Sequence, residues 1–128
     1  MFGFGRATRI YVATGATDMR KSFNGLYGLV RDRLGCDPTS GHVFLFTNAR
    51  RNRLKFLVYD GSGLWVAAKK LDGGRFRWPE SNTTATKVVL SQEELTLLVG
   101  GIDLVETRPR KWHRKPLLEV SRESLETA

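Results

Sequence analysis

The chain has 128 residues, 41% hydrophobic and 27% charged, with a formal net charge of +8, which fits one globular domain rather than a disordered segment. No apolar run reaches the roughly 18 residues of a transmembrane helix, and the start Met1-Phe2-Gly3-Phe4-Gly5-Arg6 lacks a signal-peptide layout. Cys36 is the single cysteine, so no internal disulfide and no zinc site with two Cys ligands is available, and the expected compartment is the cytoplasm.

Arg9–Ala13 is a short β-prone run, broken by Thr14-Gly15-Ala16-Thr17. Asp18 is placed to cap a helix by accepting a bond from a first-turn N–H. Met19, Phe23, Leu26, Val30 and Leu34 then recur at helical spacing and predict an amphipathic helix over about 19–34. Gly25 and Gly28 each weaken it by about 1 kcal/mol relative to Ala, and close packing is their expected use. Gly35 is positioned to end it.

Asp37–Gly41 reads as a turn, followed by strand-like runs at His42–Thr47 and Leu54–Tyr59 joined by the basic connection Asn48–Arg53. Asp60–Gly63 turns into a strand at Leu64–Lys70, and Leu71–Gly74 turns into a further one at Arg75–Trp78. There Phe76 and Trp78 share one face, and Arg75 and Arg77 the other. Short successive strands and tight turns predict an antiparallel meander without βαβ units. Glu80–Thr86 is a polar loop, and Lys87–Leu90 a short strand or a packed approach to the next helix. Ser91-Gln92-Glu93-Glu94 matches a capping box, Leu95, Leu98 and Val99 supply an apolar stripe, and Gly100-Gly101 closes that helix. Beyond Glu106 no period is sustained. The expected class is α+β: a small antiparallel β-meander of about four to six strands with two packed helices over 1–106. A basic, then polar, mobile tail is expected over 107–128, with a short helix near Leu117–Leu125.

The positive charge has more than one source. Residues 1–106 carry a net +5 despite an acidic stretch at 91–106, and residues 107–116 add five basic residues and no acidic one. Such an excess points to a polyanionic partner. Three clusters are candidate nucleic-acid contacts. The loop residues Arg50, Arg51 and Arg53 present guanidiniums to phosphates or a groove, or else form a solvated turn. Lys69 or Lys70, with Arg75 and Arg77, would form a positive sheet face if the last two strands pair; the alternative is the ordinary polar face of a one-sided sheet. In the tail, Arg108, Arg110, Lys111, Arg114 and Lys115 flank Trp112, a pattern suited to phosphate neutralisation with stacking or insertion. The alternative there is a solubilising tail.

Catalytic chemistry finds no motif. Asp18, Asp37, Asp60, Asp72 and Asp103 are the carboxylates that metal-dependent phosphoryl chemistry would need, but four of them sit in a cap or in Pro/Gly turns. His42 and His113 have no partner at metal-ligand spacing. There is no phosphate-binding glycine loop and no nucleophile elbow, and Cys36 reads as an unreactive thiol. No metal and no cofactor is expected. The strand aromatics Phe44, Phe46, Phe56, Trp65 and Phe76 read as core rather than as a base-stacking platform.

Asp18-Met19-Arg20-Lys21 leads into Phe23, Gly25 and Leu26, followed by Asp37-Pro38, Ser40-Gly41, Val43-Phe44-Leu45-Phe46 and Arg53-Leu54-Lys55. Asp60-Gly61, Gly63, Lys70-Leu71, Gly74-Arg75-Phe76, Trp78-Pro79 and Gly101-Ile102-Asp103 continue the pattern. Over about residues 9–104 it resembles the accessory protein, often called TnpB, of insertion sequences that encode a separate DDE-type transposase. The RNA-guided nuclease of the same name is unrelated. The resemblance implies a bacterial mobile-element protein that assists DNA transposition and leaves strand transfer to the transposase. Asn52 departs from the acidic residue expected at its place. With the charge pattern, the expectation is a non-catalytic DNA-binding accessory factor with DNA as partner and no membrane association. The alternative is a factor that bridges the transposase or other element proteins without touching DNA, and a metal-dependent nuclease is the third reading.

Overall fold

The computed structural model describes residues 7–79 and 85–100. Within them the chain runs β1 (Ile10–Ala13), α1 (Phe23–Asp32), β2 (Val43–Thr47), β3 (Arg53–Tyr59), β4 (Leu64–Lys70), β5 (Lys87–Leu90) and α2 (Gln92–Val99). The five strands form one mixed sheet in the order β4-β3-β2-β1-β5, so the fold is α+β. β2, β3 and β4 make the expected antiparallel meander. The meander does not extend to β1, which pairs parallel with β2 through the α1 crossover and antiparallel with β5. A βαβ unit is therefore present, contrary to the sequence expectation. A parallel pair needs a long connection, and the 29 residues between Ala13 and Val43 provide it.

Strand alternation sends side chains to two cores. Ala13, Phe44, Phe46, Leu57 and Val66 face α1, meeting Leu26, Val30 and Leu34. Ile10, Val12, Val43, Leu45, Leu54, Val58 and Leu90 face the other side, meeting Leu71, Phe76, Trp78 and Leu98. Burial on both faces explains why β2 is apolar from Val43 to Phe46.

α1 starts four residues later than the periodicity predicts. Asp18 is not its cap: the carboxylate accepts the Arg20 backbone N–H at 2.9 Å and pairs with the Arg20 guanidinium. Ser22 stands at the N-cap without a side-chain cap bond. Gly35 ends the helix in the left-handed region at φ +64, where Gly carries no Cβ penalty. Of the two helix glycines, only Gly25 is closely approached: a Cβ there would lie 2.9 Å from Lys21 Cβ, whereas Gly28 has nothing within 4 Å. α1 crosses the sheet. Just before its start, the Lys21 carbonyl accepts a bond from Lys55 Nζ on β3. At its end Arg33 donates to the Thr14 carbonyl and Lys87 Nζ to the Leu34 carbonyl.

The expected strand at Arg75–Trp78 is absent. The segment pairs with no strand, but its alternation holds, with Phe76 and Trp78 buried and Arg75 and Arg77 exposed. It lies over the sheet face as a cover instead of joining the ladder, fixed by Trp78 Nε1 donating to the Ala13 carbonyl at 2.8 Å. α2 covers the same face. Its predicted capping box is formed, with Ser91 and Glu94 bonded reciprocally. The tail 107–128 and its predicted helix lie outside the described residues.

Candidate nucleic-acid interface

Asn48 organises the β2–β3 loop. Its Oδ1 accepts the backbone N–H groups of Asn52 and Arg53, each at 3.1 Å, and its Nδ2 donates to Asn52 Oδ1 at 2.7 Å. Asn52 thus supplies an acceptor that a carboxylate would also supply. Arg51, at φ 59, is the described non-glycine residue in the left-handed region; for such a residue this costs roughly 1–2 kcal/mol. The loop is therefore held in shape by side-chain bonds rather than left to fluctuate.

Two backbone bonds tie this loop to the turn after β4. Leu71 N–H donates to the Asn52 carbonyl at 2.9 Å, and Phe76 N–H to the Arg51 carbonyl at 2.6 Å. Arg53 stands in register with Lys70. Arg50, Arg51, Arg53, Lys70 and Arg75 are thereby brought to one end of the sheet, with Arg77 two residues further along the cover. All but Arg51 are exposed. Asp72, in the turn after β4, is an exposed carboxylate.

Lys69 stands apart. Alternation turns it to the opposite face from Lys70, opposite Leu54, and its Nζ donates to the Val99 carbonyl at 2.9 Å. Its burial lowers the pKa of the ammonium. A positive sheet face made by Lys69, Lys70, Arg75 and Arg77 together is thus not what forms. Other cations also serve the fold: Arg33, Lys55 and Lys87 bond backbone carbonyls, while Arg20 and Arg31 pair with Asp18 and Asp32. The signal that sequence reading lacked was the Phe76–Arg51 bond; the Arg-Phe-Arg-Trp alternation was its visible trace. Arg108, Arg110, Lys111, Trp112, Arg114 and Lys115 lie outside the described residues.

The remaining candidates have local roles. Asp60 accepts from the N–H groups of Ser62 and Gly63, from Ser62 Oγ and from Trp65 Nε1. These bonds, the Ser62 amide first, hold its carboxyl far below the usual carboxylate range. The Arg20 guanidinium, helped by the Arg20 amide, lowers Asp18 to about 2. The Thr39 amide and hydroxyl lower Asp37. Among the described residues no three His, Cys, Asp or Glu come together as a metal site would require. His42 Nδ1 accepts the Arg9 N–H, and its ring meets Tyr11 edge-on. Cys36 is half-buried. Phe44, Phe46 and Phe76 are core, Phe56 is partly buried, and Trp65 is 39% exposed.

A second feature is an apolar groove of about 270 Å³ between the cover segment and α2, lined by Arg77, Trp78, Pro79, Leu90, Glu94, Leu97 and Leu98. Leu97 on its rim is 55% exposed. No helix among the described residues is long and apolar enough to cross a membrane.

Residues 8–109 match the protein family described as IS66 Orf2 like protein. The chain is 38% identical over 117 residues to the uncharacterized protein y4jC of Sinorhizobium fredii, covering 91% of this chain and 94% of that one. It is 37% identical over 103 residues to the uncharacterized protein y4hO of the same organism, covering 80% and 88%. No solved structure matches. The chain belongs to the IS66 Orf2-like family, the accessory proteins of an insertion-sequence type.

Proposed function

We propose that this chain is a non-catalytic accessory factor of transposition that binds DNA in the cytoplasm through Arg50, Arg51, Arg53, Lys70, Arg75 and Arg77. The observation that carries this reading is the joining of the loop and the cover segment by the Phe76–Arg51 bond, which gathers these cations at one end of the sheet. Guanidiniums on a bonded loop lose little freedom on contacting phosphates, and cations held together neutralise several phosphates at once. The basic tail, with Arg108, Arg110, Lys111, Trp112, Arg114 and Lys115, adds a second contact. A titration of the full chain against labelled duplex DNA at two salt concentrations tests the reading. Binding at ~50 mM salt that weakens steeply with salt supports it, and no binding at ~50 mM salt refutes it. Removing 107–116 is expected to lower the salt slope and leave the fold intact.

A second reading, bridging to the transposase or another element protein, is favoured by the groove beside the exposed Leu97. An apolar groove with a polar rim is the ordinary form of a peptide-binding surface. Co-purification with the transposase that survives nuclease treatment supports this reading. Its loss on nuclease treatment returns the interaction to DNA.

A further inference from the structure

Phe23 opens α1 on the same helical stripe as Leu26 and Val30, three and seven residues on. Those two are fully buried, whereas Phe23 is 47% exposed. The helix packs on β3 and β4, β4 being the last strand on that side of the sheet, and its first residue stays open to solvent. The surroundings are positive. Lys55 Nζ reaches the Lys21 carbonyl at 2.8 Å, two residues before Phe23. Lys55 and Arg53 are alternate residues on one face of β3, about 7 Å apart, and Arg53 stands opposite Lys70. The nearby carboxylate of Asp18 is engaged by Arg20.

An exposed aromatic ring on the sheet face that also carries the exposed cations Arg53 and Lys70 matches the surface that receives single strands. Cations track the backbone while the ring takes a base face. A paired duplex keeps its bases stacked on one another and offers no such face. We infer that Phe23 is a base-stacking contact, and that the surface formed by Phe23, Arg53 and Lys70 takes an unpaired DNA strand. This rests on the DNA-binding reading above and adds a strand preference to it.

The test uses the full chain with an end-labelled oligo(dT) of about 20 nucleotides, longer than one site, and a duplex of equal length. Phe23→Ala is expected to weaken single-strand binding about tenfold, with duplex binding and both salt slopes unchanged. Phe23→Leu, which keeps apolar volume but no stacking face, is expected to weaken it likewise, and Phe23→Trp to restore it. Wild-type single-strand affinity in both the Ala and Leu variants would overturn the inference, as would an equal loss on the duplex. If the wild type binds the duplex but not the strand, this inference alone fails. If it binds neither, the DNA-binding reading fails with it.

Discussion

The backbone N–H of Phe76 donates to the carbonyl of Arg51 at 2.6 Å. One residue belongs to the cover segment over the sheet and the other to the β2–β3 loop. The bond therefore sets Arg75 and Arg77 relative to Arg50, Arg51 and Arg53. The Phe76 ring, 2% exposed, anchors it from within the core.

Phe76→Ala is expected to destabilise the protein by about 3–5 kcal/mol, because a large buried ring leaves a cavity and the cover loses its anchor. The urea midpoint reads this directly. Phe76→Leu retains most of the buried volume and is expected to cost well under half as much. Equal losses in the two variants would assign the effect to the backbone rather than to packing.

Lys69 and Lys70 are neighbours with different work. Lys70→Ala is expected to reduce the magnitude of the log-affinity against log-salt slope by about one, as the loss of one phosphate contact does. Lys69→Met is expected to leave that slope unchanged and to lower stability instead, since the Val99 carbonyl loses its donor. Paired salt titrations and denaturation curves of the two variants separate these outcomes.

Much of the fold was legible because local chemistry and tertiary demand agree. β4 spans Leu64–Lys70 as the pattern predicts, and Ser91 with Glu94 closes the capping box that its spacing announces. Departures arise where a competing partner, near or far in sequence, decides. Asp18 has cap chemistry, yet Arg20, two residues away, claims its carboxylate. Phe76 and Trp78 alternate as strand residues do, but their segment lies over a face instead of beside an edge. Strand parity separates Lys69 from Lys70, but only the position of α2 decides which of them is internal. The parallel β1–β2 pair carries no local mark, since either strand alone fits a parallel or an antiparallel neighbour.

Acid is expected to loosen the β3–β4 turn and the segment before α1. Asp60 and Asp18 both have lowered pKa values. A carboxylate whose folded value is depressed stabilises the fold above its unfolded value and loses that contribution as pH falls through the folded one. For Asp18 the window runs from the ordinary 3.8 down to about 2, and for Asp60 it starts at the same ordinary 3.8 and extends lower. Thermal midpoints recorded across this range should fall with pH. Asp60→Asn, which cannot titrate, is expected to begin less stable and to fall less steeply.

The most direct measurement is the salt dependence of duplex DNA binding by the wild type and by a triple variant, Arg53→Ala with Lys70→Ala and Arg75→Ala. Each phosphate contact contributes about −0.9 to the slope of log affinity against log salt. The triple variant is expected to keep the wild-type fold and lose about three contacts, a slope smaller in magnitude by roughly 2.7. A folded variant with the wild-type slope would contradict a DNA-binding end of the sheet.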